Sequence, residues 1–337
     1  MIKSYIKEKK RKQKIVALCL CTIILILAVL SVVYGDRIYS VSTILKVLSG
    51  EEIKGATFAI KTIRVPRMLM GMLSGLAFGI AGNTFQVLLG NSLASPDIIG
   101  VTSGASVSAV FSILILGLSG NIVSVIAILA GILVAVLIYG LSSGKGYSNA
   151  RMVLIGIGMQ AFLQGIISWI LLKASEFDVS TALRWLSGSL NGVVMEDVYG
   201  LTFVVLLAGG ALLVMTPDIM MLTLGEAYAT TLGVRLKRIR LSAIFCAILL
   251  IAVTTSVTGP IASVAFLSGP ISSRLVGRGR NNMLVSGLTG AVLVLASDFI
   301  GQHAWTVRYP VGVITGLLGA PYLIFLLMRM NRKGGNV

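Results

Sequence analysis

Arg64-Val-Pro-Arg67 leads into Met68-Leu-Met-Gly-Met-Leu-Ser-Gly-Leu-Ala-Phe-Gly-Ile-Ala81, and Gly82-Asn-Thr-Phe-Gln-Val-Leu-Leu-Gly90 runs on into Asn91-Ser-Leu-Ala-Ser-Pro-Asp-Ile-Ile-Gly-Val-Thr-Ser-Gly104. Two arginines stand against a nearly unbroken small and apolar run. That run is rich in Gly and Ala, which lets helices approach backbone to backbone in lipid. The chain then turns through a polar Asn-Ser-Leu-Ala-Ser-Pro-Asp segment and re-enters apolar sequence. The pattern is that of a polytopic membrane protein with one charged end and one irregular, cavity-lining end.

Composition agrees. Of 337 residues, 56% are hydrophobic and 12% charged, against about 25% charged in a soluble domain. Mean hydropathy is +0.96, and the 38 glycines suit membrane helices. The net charge of +16 is spread as short basic clusters between apolar runs. No basic face interleaved with aromatics is present, so nucleic acid is excluded as a partner. Cys19, Cys21 and Cys246 lie within apolar runs and read as small buried hydrophobes without metal-ligand spacing. The first apolar stretch is too long for a signal h-region of about 7–15 residues and has no A-x-A-like site after it.

Ten membrane spans are expected, at about 15–33, 66–86, 98–118, 121–141, 152–172, 198–215, 241–257, 260–275, 283–303 and 310–328. Only Thr258-Gly-Pro260 separates the seventh from the eighth; fused, they would make nine. With the N-terminus inside, nineteen Lys and Arg fall on inner segments and nine on outer ones, which favours both termini inside. Trp169, Trp185 and Trp305 fall at or near outer span ends, as an interfacial belt would. Residues 1–337 read as one transmembrane domain with a basic cytoplasmic tail at 1–14. Val41–Ser49 suits a short helix on the outer surface.

Between the sixth and seventh spans, Gly225 and Gly233 bracket about two helical turns, with Leu224, Tyr228 and Leu232 at i, i+4 and i+8. This segment is either a docking helix for a partner's groove or an ordinary loop with basic anchors. Gly140-Leu-Ser-Ser-Gly-Lys-Gly146 lacks the Walker A spacing, so an ATP-driven step needs another subunit. Asp298 is the one carboxylate inside an expected span. It reads as a proton-coupling group or, more simply, as a structural partner of Arg64 or Arg67. His303 alone cannot build a metal site. No zinc-protease motif, paired intramembrane Asp or Ser-His-carboxylate set is present, so enzyme chemistry and a cofactor are not expected. Arg64 and Arg67, flanking Pro66, offer either bidentate pairing with carboxylates or anchoring to lipid phosphate.

The Arg64–Arg67 motif, Gly75–Gln86, Asn91–Ala105, Leu224–Val234 and Tyr309–Arg329 together resemble the permease family of iron-siderophore, haem and cobalamin ABC importers, the FecCD type, over about 60–330. That resemblance implies an all-α type II ABC importer permease fold in the bacterial cytoplasmic membrane. It implies a second permease subunit, identical or related, two cytoplasmic ATPase subunits, an extracytoplasmic binding protein and a ferric siderophore as the first expected cargo. Carried over by residue, Arg64 and Arg67 would receive acidic residues of the binding protein. Gly225, Glu226 and Gly233, within a cytoplasmic coupling segment 216–240, would seat in the ATPase groove. Asn91, Ser92 and Leu93 would form an inner gate, with Ser148 and Asn149 near a second gate position. The chain departs from the family in having Ser92 where Pro is frequent and Ile271 after Pro270 where His is frequent. It also has Gln302 and His303 where an arginine is common, with Arg308 just beyond as the substitute.

Overall fold

The computed structural model describes residues 2–92, 94–142, 149–277 and 282–333. Among these the chain forms α-helices and no strand. They are α1 (Ile2–Val33), α2 (Val41–Leu48), α3 (Val65–Leu88), α4 (Val101–Leu114), α5 (Asn121–Ser142), α6 (Asn149–Lys173), α7 (Glu176–Leu186), α8 (Met195–Val204), α9 (Gly210–Met221), α10 (Glu226–Thr231), α11 (Leu236–Thr258), α12 (Val264–Val276), α13 (Met283–His303) and α14 (Val311–Lys333). A π-helical turn, Phe58–Arg64, runs into α3, and another, Val205–Gly209, joins α8 to α9.

Seven continuous helical stretches are long and apolar enough to cross a membrane, and α4, α12 and Val311–Leu326 are shorter apolar helices. Each expected span contains a helix, seven of them of membrane-crossing length and three shorter. In α4 the left-handed Gly100 (φ 71°) closes the N-terminal side, and the chain leaves before Gly117 (φ 64°). Its 14 residues rise about 21 Å. Between α11 and α12, Gly259 (φ 68°) reverses the chain and Pro260 has no N–H to continue it. The seventh and eighth expected spans are thus separate helices. The turn is tied to its neighbours: Ser189 N donates to Thr258 O (2.7 Å), and the adjoining Gly188 O accepts from Gly312 N (3.1 Å).

The axis of the bundle is α3. Gly71, Gly75 and Gly79 form a four-residue repeat on one face. A Cβ at Gly75 would meet the Gly290 carbonyl oxygen and Ala291 backbone of α13, one at Gly79 the Ser286 carbonyl of α13, and one at Gly82 the Ala265 carbonyl of α12. Hydrogen in place of a side chain is what brings these backbones together. The rim helices are far less buried; in the apolar part of α1 only 17% of the most hydrophobic window is covered by protein, against 78% in α3.

From residue 2 the basic stretch at 1–14 forms the first turns of α1, which is helical from Ile2 onward. Two local expectations are revised. Cys19 and Cys21 are exposed on α1 rather than buried, with Cys246 half-buried, since α1 packs on the bundle through one stripe only. The connection after α6 holds α7, whose start is capped by Ser175 Oγ, the acceptor for Asp178 N. The short helix expected at Val41–Ser49 forms as α2, capped by Ser40. Its Ile44 and Val47 are buried against Val32, Ala56 and Ile60.

Candidate functional site

Helix α3 connects two polar regions. Its 24 residues separate them by about 35 Å.

At its N-terminal end, Arg64, Arg67 and Arg308 line one cavity of about 550 Å³ together with Asp36, Asn191, Asp298, Gln302 and His303. The three arginines share this cavity, but their guanidiniums are held differently. Arg67 holds Asp298 of α13 in a fork, Nε to Oδ2 at 3.0 Å and Nη2 to Oδ1 at 2.8 Å, and its Nη1 donates to Asn191 Oδ1. Gln302 Nε2 donates to the same carboxylate (2.8 Å). The pair is largely withdrawn from solvent, with side-chain exposures of 15% for Arg67 and 5% for Asp298. Arg64, three residues earlier, points to α1. Its Nη1 donates to Val32 O (2.7 Å) and Val33 O (2.9 Å), and its Nη2 to Arg37 O (2.6 Å). A guanidinium there satisfies carbonyls that α1 leaves open and meets the negative end of its dipole. Neither arginine presents a free fork outward, because intrachain acceptors lie within reach of both. Arg308 differs: it pairs with Asp36 on the surface, with exposures of 58% and 81%. His303 Nδ1 lies 2.9 Å from Phe299 O and its ring stacks on Phe299, as a satisfied histidine should.

Arg64→Lys keeps the charge but cannot reach three carbonyls from one planar head. Charged hydrogen bonds contribute about 1.5–3 kcal/mol, so a loss near that size is expected in thermal unfolding of the purified protein. Gly35→Val should act alike, because a Cβ at Gly35 would occupy the Arg64 guanidinium position. The two changes combined should cost little more than either alone.

At the other end, a cavity of about 690 Å³ is lined by Asn83 and Gln86 of α3, Ser92, Asn149, Thr223, Gly225 and Asn282, among others. It brings the expected gate residues Ser92 and Asn149 to the expected coupling glycine. Asn149 Nδ2 reaches Leu88 O (3.4 Å), joining the start of α6 to the end of α3. Asn91 accepts from Ala94 N through its carbonyl and donates through its N–H to Gln86 O. Leu93 and Ser148 lie outside the described residues. Sequence reading missed Asn83, Gln86 and Asn282. Two carboxamides three residues apart in a glycine-rich span were the available signal, whereas Asn282 had none.

Beside this cavity Gly225 (φ 101°) and Gly233 (φ 86°) turn the chain into and out of α10, which starts at Glu226. Ala229 and Val234 are buried. Leu224, Tyr228 and Leu232 all face out, Tyr228 at 70% exposure. Among the described residues no three His, Cys, Asp or Glu side chains form a metal-binding group.

A helical bundle with apolar helices long enough to cross a membrane, shorter helices among them, a charged cavity at one end and an exposed apolar ridge at the other has the architecture of a membrane transport protein. Residues 23–329 match the model of the FecCD transport family, and the chain belongs to that family. It is 32% identical over 318 residues to the ferric enterobactin transport system permease protein FepG of Escherichia coli (strain K12), covering 93% of this chain and 96% of that one. It is 31% identical to the Fe(3+)-citrate import system permease protein YfmE of Bacillus subtilis (strain 168), covering 97% and 99%. A solved metal-chelate type ABC transporter in an inward-facing conformation superposes with a TM-score of 0.81 at 26% identity, over 94% of this chain and 99% of that one. The chain is a transport subunit and not an enzyme.

Proposed function

We propose that this chain is the transmembrane subunit of a binding-protein-dependent ABC importer that carries ferric siderophores across the bacterial cytoplasmic membrane. In this reading it crosses ten times with both termini inside, and separate ATPase subunits hydrolyse the nucleotide. The arginine-lined end lies outside and α10 inside. The observation that carries the reading is the ridge Leu224–Tyr228–Leu232, an aromatic and aliphatic face exposed at 59–70% on a short helix held by two left-handed glycines. Such a face suits a partner's groove, and its displacement would tilt α9 and α11 on either side.

Support for a second permease subunit comes from α6, which exposes Gln160 and Gln164 in its mainly apolar middle. Polar side chains there need protein or water, not lipid. The cargo assignment draws on the relatives named for ferric enterobactin and Fe(3+)-citrate; haem and cobalamin are the alternative cargoes of the resemblance. An ion-coupled carrier is disfavoured because Asp298 is held by Arg67 and Gln302. Docking of the binding protein falls first to Arg308, whose surface pair with Asp36 exchanges readily. Arg64 and Arg67 brace the cavity beneath it. The gate and coupling roles of Asn91, Ser92, Leu93, Ser148, Asn149, Gly225, Glu226 and Gly233 stay within this proposal.

Tyr228→Ala with Leu232→Ala should weaken co-purification of the ATPase by about tenfold or more, the range of an aromatic hot spot, while binding-protein affinity stays constant. Arg308→Glu should do the converse at low salt. Undiminished ATPase recovery from the double variant would remove the coupling role of α10. Uptake of radiolabelled ferric siderophore, against cobalamin, by the reconstituted complex decides the cargo.

A further inference from the structure

Helix α1 carries two stripes of opposite character. Val16, Leu20, Ile24 and Leu27 pack on the bundle, Leu20 with Val276 and Val285, and Ile24 with Ala291 and Leu295. On the other side Leu18, Leu25 and Val29 are exposed. Followed back towards the N-terminus at the same three- and four-residue steps, the exposed stripe becomes Lys14, Arg11 and Lys7, with Lys10 beside them. All four cations are exposed. At about 100° per residue they fall within roughly 100° of one another. Because α1 is unbroken from Ile2 to Val33, the register of the apolar half carries into the basic half. These cations therefore face the way the lipid-exposed leucines face, away from α12 and α13. Glu8, the one acid in residues 1–14, lies to the side of the stripe.

The heights also match a membrane surface. From Ile15 to Val33 the helix rises about 28 Å, the thickness of a hydrocarbon core. Lys14 then lies at the edge of the hydrocarbon and Lys10 and Arg11 about one turn beyond it, in the headgroup layer. Lys7 is about two turns beyond, close to the Debye length of about 8–10 Å.

We propose that Lys7, Lys10, Arg11 and Lys14 form a binding site for the phosphodiester headgroups of anionic phospholipids. Lys10, Arg11 and Lys14 hold the phosphate, and Lys7 adds long-range attraction. The occupant is lipid rather than a protein beneath the membrane, because the stripe is continuous with the lipid-facing side of the helix. The site rests on one part of the proposed function, that α1 crosses a bilayer, and on neither the cargo nor the ATPase.

The test uses the full-length protein in nanodiscs of phosphatidylcholine doped with phosphatidylglycerol, with retained lipid read by native mass spectrometry. Each cation near an anionic surface changes binding by about fivefold. The variant Lys7→Gln, Lys10→Gln, Arg11→Gln, Lys14→Gln should therefore lose phosphatidylglycerol retention by about tenfold or more. The control Lys54→Gln, Lys61→Gln should retain it. Wild-type retention should also fall with added salt, a readout that needs no variant. Equal retention of the two lipids by wild type, undiminished retention by the stripe variant, or displacement by soluble glycerol phosphate as readily as by lipid would overturn the site. Cys19 and Cys21, exposed on the same helix, report the underlying reading separately: labelling by a water-soluble maleimide would show that α1 lies outside the bilayer, and labelling only by a membrane-permeant one that it lies within.

Discussion

Gly82→Leu is expected to abolish recovery of folded protein, and Gly75→Leu to come close. At both positions the new Cβ would fall on main-chain atoms, the Ala265 carbonyl in one case and Gly290–Ala291 in the other. A side-chain neighbour could change rotamer, but a neighbouring helix must move as a unit. Overpacking typically costs about 1–3 kcal/mol and more where relief is blocked, and three helices share this contact. The measurement is thermal unfolding followed by size-exclusion recovery in detergent. Gly200→Leu on α8 is the control, since a Cβ there meets nothing within 4 Å; it should leave the melting curve near that of wild type. A normal melting temperature for Gly82→Leu would mean that α3 is not the axis of the bundle.

Breaking the Arg67–Asp298 pair should have the next largest effect. Asp298→Asn leaves a mostly buried guanidinium facing a neutral amide, and Arg67→Gln strands a carboxylate that is 5% exposed. Removing one partner of a buried pair costs about 3–5 kcal/mol. Removing both, as Arg67→Met with Asp298→Leu, should recover much of that, because no unpaired charge remains. A double-mutant cycle on unfolding isolates the coupling. Independent, additive losses would deny the pair. The same variants separate two mechanisms. If Asp298→Asn unfolded normally yet ended uptake driven by a proton gradient in the protein reconstituted alone, the carboxylate would be a proton carrier and the importer reading would fall.

Several elements of the fold were legible in the residues themselves. The apolar runs around α1 and α5 mark helices because their length and lack of charge admit little else. Gly225 and Gly233 announced a bracketed short helix, since left-handed backbone favours glycine. Helix α4 was overestimated, because Gly100 and Gly117 are unremarkable in a glycine-rich chain until their φ values are known. Helix α7 was missed for the opposite reason. Its mix of Glu176, Asp178 and Arg184 with apolar residues follows neither a span nor a turn pattern, and its Ser175 cap is one serine among many until the helix is seen.

Sequence alone established that this is a helical membrane protein and where its apolar segments lie. Those properties are local, set by hydropathy over about twenty residues and by glycine and proline at particular places. Which groups Arg64 and Arg67 would hold was decided only in three dimensions. Asp298 lies 231 positions from Arg67 and Asn191 comes from a loop without a motif, so no spacing could announce their meeting. The close passage of α3 over α12 and α13, which puts a hydrogen where any side chain would strike a carbonyl, places these groups together.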